Sequence, residues 1–153
     1  MASREETIDI RCRPEEVFDL LHDYSRRLEW DSFLRAAAIL DGATAAGVGV
    51  RTRCAARLGA GGLSMETVYV AFERPHVAAV RLISGSTLFS AFAASIRQTA
   101  LASGDTRVAY KYTLHTRPRW LRPLLEPVVD RVLARETRRR LADLKRFLEA
   151  PPR

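Results

Sequence analysis

The sequence lacks a long hydrophobic run, and no stretch approaches the roughly 18 to 20 apolar residues that a membrane-spanning helix requires. Residues 1–6 lead directly into a strand-like pattern instead of the apolar core of a signal peptide. Both absences argue against a membrane-spanning or secreted protein. We therefore expect a cytoplasmic protein.

Cysteine and histidine are scarce, and their spacing offers no metal site. Cys12 and Cys54 have no neighbouring Cys or His at metal-ligand spacing, so we expect both to be small buried hydrophobic residues. His22, His76 and His115 stand apart from each other and from any evident nucleophile. We expect all three at the surface or at the edges of elements, and no bound metal.

Short catalytic motifs are absent as well. The sequence contains no GxSxG, Walker A, HExxH or dinucleotide-binding pattern. The glycine-rich segment 59–62 joins two predicted strands, whereas a phosphate cradle joins a strand to a helix. The sequence therefore predicts no cofactor, and it assigns no catalytic residue.

Lysine is rare, because 23 of the 25 basic residues are arginine, and the formal net charge is +7. Residues 117–149 hold ten basic and five acidic residues, interleaved along the chain. This interleaving favours a solvated helix face over a focused nucleic-acid surface, so we expect no nucleic-acid partner. Contact of this helix with an anionic membrane is an alternative that we do not favour.

The remaining features fit one soluble domain, which we place at residues 1–150 with a tail at 151–153. The 153 residues are 47% hydrophobic and 28% charged, which is ordinary for a globular chain. Residues 6–12 alternate between apolar and polar, which predicts a first strand with Ile8, Ile10 and Cys12 on one face.

Two short helices are predicted after this strand. Pro14, followed by two glutamates, is typical of a helix start, and we expect this helix to end at about Asp23. A second helix is predicted over residues 25–30, with Ser25 as its N-cap.

Six further strands follow, separated by short turn signals such as Asp41-Gly42, Gly59 to Gly62 and Gly85. Consecutive strands joined in this way are typical of an antiparallel meander and an α+β domain. The predicted strands cover residues 34–41, 48–58, 64–73, 77–83, 88–101 and 106–116.

After Pro118 the apolar spacing becomes that of an amphipathic helix. Pro123 and Pro127 predict an interruption, so we expect a short helical entry at 118–125 and a regular helix at about 126–149. Pro151 and Pro152 are expected to end this helix. The regular part would span roughly 36 Å, which is enough to cross the concave face of a sheet.

This order of elements resembles the START-like superfamily, also called SRPBCC, and within it the polyketide cyclase/dehydrase branch. Local matches are the segment Arg13 to Leu21, then Tyr24 and Glu29-Trp30, the segment Gly104 to Val108, and the segment Leu141 to Lys145. The resemblance implies a helix-grip fold, with a seven-stranded curved antiparallel sheet around a long C-terminal helix and two short helices between strands 1 and 2.

A curved sheet closed by one helix leaves a gap unless large side chains fill it. Small residues are frequent in two predicted strands: Ala78 and Ala79 in one, and Ala91, Ala93, Ala94, Ser95 and Ala100 in the next. Larger residues elsewhere supply an apolar lining with hydroxyl groups. The predicted cavity-lining residues are Trp30, Met65, Tyr69, Arg81, Phe92, Tyr110, Tyr112, Val129, Val132, Leu133, Glu136 and Arg140.

Two of these residues suggest a polar group inside the cavity. Glu136 and Arg140 are spaced i, i+4 on the same helix face as Val132 and Leu133. An ion pair there would suit a ligand carboxylate or carbonyl. The alternative is that the drift of the helix carries both residues to the solvated end of the groove, and we favour that alternative.

Three functions follow from these expectations. The leading hypothesis is binding of a hydrophobic or aromatic small molecule, such as a lipid, quinone or polyketide, by a monomer or homodimer. The second is a polyketide cyclase or aromatase, in which Arg81, Glu136, Arg140 or a cavity tyrosine acts on a carbonyl. The third is a peripheral quinone or lipid chaperone at an anionic membrane surface.

Overall fold

A seven-stranded antiparallel sheet dominates the computed structural model, which describes residues 2–58, 62–84 and 88–150. The spatial order of the strands is β1-β7-β6-β5-β4-β3-β2, so six strands form a meander and β1 closes against β7. The strands are β1 (Ala2–Ile10), β2 (Leu34–Ile39), β3 (Arg51–Ala56), β4 (Ser64–Glu73), β5 (Val77–Ser84), β6 (Phe89–Ala100) and β7 (Thr106–Thr116).

The first strand starts and ends earlier than the alternation predicted. β1 pairs with β7 over its whole length, with Ile8 opposite Val108. Cys12 lies beyond the strand, where its carbonyl accepts a hydrogen bond of 2.8 Å from the Thr106 hydroxyl. The expectation that both cysteines are buried is wrong, because Cys12 and Cys54 are each only partly buried.

Two helices connect β1 to β2, namely α1 (Pro14–Leu21) and α2 (Arg27–Trp30). The predicted capping role of Ser25 is wrong. Its backbone N–H and its hydroxyl both donate to Asp23 Oδ1, at 3.1 and 2.5 Å. These bonds hold residues 23–25 in a turn, so α1 ends before Asp23 and α2 begins after Ser25.

The sheet bends at several irregular positions. Register shifts interrupt the pairing of β2 with β3, of β4 with β5 and of β6 with β7, and such bulges increase local bending and twist. β2 and β3 are shorter than predicted. The predicted turn between them is confirmed at Asp41 and Gly42, which both adopt positive φ. The predicted turn positions 59–61 and 85 lie outside the described residues.

One continuous helix, α3 (Arg122–Glu149), follows a 3-10 turn at Arg119–Leu121. The predicted break near residue 125 does not occur. Pro123 sits in the first turn, where its missing N–H would have no intrahelical partner, whereas Pro127 removes a single bond within the helix. The 28 residues of α3 extend roughly 42 Å across the concave face of the sheet. The predicted stop at Pro151 and Pro152 lies outside the described residues.

The main apolar core lies at the C-terminal end of α3. There Leu141 and Leu144 pack in one cluster with residues from both short helices and from the sheet, including Val17, Trp30 and Val108. Under the N-terminal half of α3 a cavity separates the helix from the sheet, and the candidate site lies there.

Candidate ligand-binding cavity

A cavity of about 290 Å³ separates the N-terminal half of α3 from the concave face of the sheet. Alternate residues of the inner strands line it, because side chains in a strand point to opposite faces in turn. β4 contributes Met65, Thr67 and Tyr69, while β7 contributes Tyr110 and Tyr112. The register of both strands is therefore the one that turns the tyrosines inward.

Small side chains leave this space open. Ala56, Ala78 and Ala94 line the cavity from three different strands. Their neighbours Ala79 and Ala93 alternate to the other face of the sheet and do not line the cavity. The hollow thus depends on fewer alanines than the sequence suggested, and equally on the distance that the bent sheet keeps from α3.

Nine of the twelve predicted residues border the cavity. Their role in binding a ligand remains a prediction, but their positions bring them together around one space. They are Met65, Tyr69, Phe92, Tyr110, Tyr112, Val129, Val132, Leu133 and Arg140.

The other three predicted residues do not line the cavity. Trp30 is only 6% exposed and packs in the core cluster beside α1, and the Arg27 guanidinium covers its ring at 5.0 Å. Arg81 is exposed, because the inward positions of β5 are Ala78 and Val80. Glu136 is buried but turned sideways, and it accepts hydrogen bonds of 2.9 and 3.2 Å from Arg57.

The pairing of Glu136 with Arg57 explains its position. Helix periodicity places Glu136 between Val132 and Leu133, which both line the cavity, but its carboxylate turns aside to Arg57. Thr137 and Arg140 line the cavity instead. The predicted ion pair between Glu136 and Arg140 does not form. The alternative, that helix drift carries Glu136 to the solvated end of the groove, is wrong as well, since this residue is only 2% exposed.

Arg140 pairs instead with Asp31, a residue that the sequence did not single out. Arg140 Nε lies 3.1 Å and Nη2 lies 3.0 Å from Asp31 Oδ2. Arg27 Nε donates to the same oxygen at 2.9 Å. Burial alone would raise the pKa of Asp31, but the two guanidiniums outweigh burial and hold that pKa below its usual range. Asp31 is therefore ionised at neutral pH.

His22 is also part of the cavity wall, which corrects its expected surface position. Its Nδ1 lies 2.9 Å from the Tyr69 hydroxyl, which lies 3.1 Å from the Tyr24 hydroxyl. Desolvation, together with the positive charge of Arg27, lowers the pKa of His22 to about 3. Burial raises the pKa of both tyrosines. The chain of three groups is therefore neutral at pH 7 and offers hydrogen bonds without charge.

The sequence did contain a signal for the inward position of His22. It follows Phe18 by four residues, and the two rings lie 4.6 Å apart between centroids. Residues at that spacing share a helix face, and Phe18 was already an apolar residue of the predicted helix. The other two histidines lie where they were expected: His76 is exposed, and His115 lies near the end of β7, 3.2 Å from Glu126 Oε1.

An exposed apolar stripe runs from the 3-10 turn along α3 beside the cavity. We define it as Trp120, Leu124, Val128 and Val132, which are 80%, 73%, 59% and 42% exposed. Val128 and Val132 also line the cavity, so the stripe continues from the surface into the hollow. This border marks where the cavity reaches the molecular surface.

Within residues 2–58, 62–84 and 88–150, no three Asp, Glu, His or Cys side chains gather closely enough to hold a metal ion. In the same part of the chain, no helix has the length and apolar character needed to cross a bilayer.

Solved structures with the same fold cover nearly the whole chain. A START superfamily protein from Mycobacterium smegmatis superposes with a TM-score of 0.80 at 12% identity, over 96% of this chain and 97% of that one. The Zhui aromatase/cyclase from Streptomyces sp. R1128 gives 0.75 at 16% identity, over 97% and 96%. The di-domain aromatase/cyclase BexL from the BE-7585A biosynthetic pathway gives 0.79 at 17%, over 99% of this chain and 51% of that one.

These likenesses confirm the helix-grip fold. No protein of curated function matches the sequence. The family model described as polyketide cyclase / dehydrase and lipid transport matches residues 1–149, and the chain therefore belongs to that family.

Proposed function

We propose that this protein binds a hydrophobic small molecule, of lipid, quinone or polyketide type, inside the cavity beneath α3. The observation that carries the proposal is the hollow itself, an apolar space of about 290 Å³ that reaches the surface beside Val128 and Val132. Its volume lies near the lower limit of roughly 300 Å³ that is usual for small-molecule pockets. A single compact ligand fits this size better than a two-chain lipid.

The lining supports both apolar contact and orientation of the ligand. Phe92, Val129 and Leu133 provide apolar surface, and the hydroxyls of Tyr24 and Tyr69 are held by mutual hydrogen bonding at one wall. Burial of apolar ligand surface supplies the binding free energy, whereas a few fixed polar groups select its orientation.

Filling the cavity tests the proposal. Titration with dodecanol, decylubiquinone and an anthraquinone, followed by calorimetry and thermal melting, should reveal at least one ligand. Ala94→Phe should weaken its binding more than about tenfold, equivalent to 1.4 kcal/mol, because the new ring occupies the hollow. Ala93→Phe is the matched control, since its neighbouring position faces away from the cavity. Absence of binding by all three probes, or equal loss in both variants, would contradict the proposal.

A second candidate function is cyclisation of a polyketide chain. The observation in its favour is the set of polar groups on the wall: Arg140 and the linked hydroxyls of Tyr24 and Tyr69 could polarise a ligand carbonyl. Arg81 and Glu136 are removed as candidates because neither lines the cavity. Incubation with a poly-β-ketone thioester should then give a cyclised product by mass spectrometry, and Tyr69→Phe should slow its formation. If wild-type protein gave the same products as the reaction without protein, this function would be dismissed.

A third candidate is exchange of the ligand with an anionic membrane. The exposed stripe Trp120, Leu124, Val128 and Val132 continues along the helix into the exposed residues Arg131 and Arg135. An apolar stripe beside arginines is the pattern of helices that lie at a lipid surface. Binding to phosphatidylglycerol vesicles should fall with salt and with Trp120→Ser, but not with Val70→Ser on the sheet. Equal binding to phosphatidylcholine vesicles would contradict it.

A further inference from the structure

Two arginines share one carboxylate at the α2 end of the cavity. Arg27 and Arg140 both contact Asp31 Oδ2, at distances between 2.9 and 3.1 Å. The other oxygen, Oδ1, accepts a hydrogen bond of 3.1 Å from the backbone N–H of Phe33. Asp31 is 1% exposed, so its hydrogen-bonding capacity is taken up inside the protein.

The charges at this end of the cavity do not balance. Among the described residues that line the cavity, Arg27 and Arg140 are the charged side chains, and none is acidic. Asp31, directly behind them, neutralises one of the two. The nearby carboxylate of Glu136 pairs with Arg57 instead. One positive charge therefore faces a largely apolar space, and an uncompensated charge in such a place is unfavourable.

Both guanidiniums also have N–H donors that their protein contacts do not use. Each has five N–H donors. In the described part of the chain, Arg27 donates to Asp31 and to the Leu21 carbonyl, and Arg140 donates to Asp31 alone. The remaining N–H groups are not needed for these protein contacts, and both side chains border the cavity.

Aromatic rings hold both guanidiniums in place. Arg27 lies 5.0 Å from the ring centre of Trp30 and 5.8 Å from that of Tyr24. Arg140 lies 5.0 Å from the ring centre of Phe33 and 5.8 Å from that of Tyr110. Cation–π contacts of this kind orient a guanidinium. The donors are therefore fixed before any ligand arrives.

We propose that Arg27 and Arg140 bind the carboxylate of an amphipathic acid, whose apolar chain or ring lies along Val129 and Leu133 towards the surface. The inference rests on the proposed ligand-binding function and narrows its ligand class from apolar molecules to organic acids. A planar carboxylate matches the fork of a guanidinium and supplies the missing negative charge. This role for Arg140 replaces the predicted ion pair with Glu136.

Matched acid and alcohol pairs test this inference. The probes are dodecanoate against dodecanol, below their aggregation concentrations, and naphthoate against naphthalenemethanol, both measured by calorimetry. Within each pair, wild-type protein should bind the acid at least about tenfold more tightly, equivalent to 1.4 kcal/mol. Arg140→Met should bring the ratio close to one, with the affinity for the alcohol kept. Arg140→Lys should retain part of the preference, and Arg81→Met, on the outer face of β5, should retain all of it.

Asp31→Asn should change the affinity ratio of acid to alcohol in the opposite direction. The substitution removes the internal negative charge, so the preference for the acid should increase. Thermal melting checks that this variant is folded. Equal affinity of wild-type protein for acid and alcohol would overturn the inference and leave the proposed function standing. Failure of every acid and every alcohol to bind would overturn both. An unchanged ratio in Arg140→Met would also overturn the inference.

Discussion

The two halves of α3 cover two different interiors. Its C-terminal half places Leu141 and Leu144, which are 5% and 0% exposed, in a filled apolar core. Its N-terminal half places Val129 and Leu133 over an open cavity. Both halves belong to one helix and face one sheet, so the helix itself does not decide which interior is filled.

The difference lies in what stands between helix and sheet. At the filled end, α1 and α2 supply Val17, Leu20, Leu21 and Trp30, which complete the core. At the open end the sheet presents small side chains to the cavity, such as Ala56 and Ala94. The hollow therefore results from small side chains where larger ones would fill the space. The polar residues His22, Arg27 and Arg140 lie at the border between the two ends.

The largest expected effect compares one leucine from each end. Leu144→Ala should lower the free energy of unfolding by about 2–5 kcal/mol, because it opens a void in a filled core. Leu133→Ala should cost less, about 1–2 kcal/mol, since that side chain already borders an empty space and makes fewer contacts. Urea denaturation of both variants measures the difference. Equal losses would contradict the distinction between the two ends.

The border between the ends should respond to pH through His22. Its pKa is about 3 in the folded protein and near 6.5 when unfolded, so the unfolded chain binds more protons between these values. The free energy of unfolding should therefore fall as pH drops below 6.5, by about 2 kcal/mol at pH 5. Denaturation at pH 7 and pH 5 measures the loss.

Two variants identify the histidine responsible. His22→Gln should remove most of this pH dependence, because the buried titrating ring is gone. His76→Gln should leave it intact, since His76 is exposed. A slope that persists in His22→Gln would show that another group is responsible.

The smallest expected effect is on the outer surface, away from both interiors. Arg107 and Asp9 form an ion pair of 2.8 Å between β7 and β1, and each side chain is more than half exposed. Arg107→Ala should change the free energy of unfolding by less than about 1 kcal/mol, because solvent and salt screen exposed pairs. A larger loss by denaturation would mean that the sheet depends on its surface charges.

The sequence predicted the fold well where its patterns are local. The strand-like run 64–73 and the clear alternation of 106–116 gave β4 and β7 at their observed bounds. The predicted break in the last helix was wrong, because a proline in a first helical turn costs little there. The sequence also signalled the turn at Asp41-Gly42, where both residues adopt positive φ, but periodicity extended β2 and β3 a few residues beyond their true ends.

The site was only partly predictable for a similar reason. Strand and helix periodicity gave the inward residues Tyr112 and Leu133, which need no partner to be recognised. Arg27 and Asp31 carried a signal in their i, i+4 spacing, but Arg140, which completes the cluster, is 109 residues beyond Asp31. Pairing across that distance is set by how α3 docks on the sheet, and that docking is not visible in local sequence patterns.

Methyl NMR during titration with dodecanol can locate the ligand in one of the two interiors, because the probe is neutral and does not depend on the arginines. We expect methyl resonances of Val129, Val132 and Leu133 to shift at saturation, while those of Val17, Leu141 and Leu144 stay in place. Shifts spread equally over both ends, or absent from both, would contradict a ligand-binding hollow beneath the N-terminal half of α3.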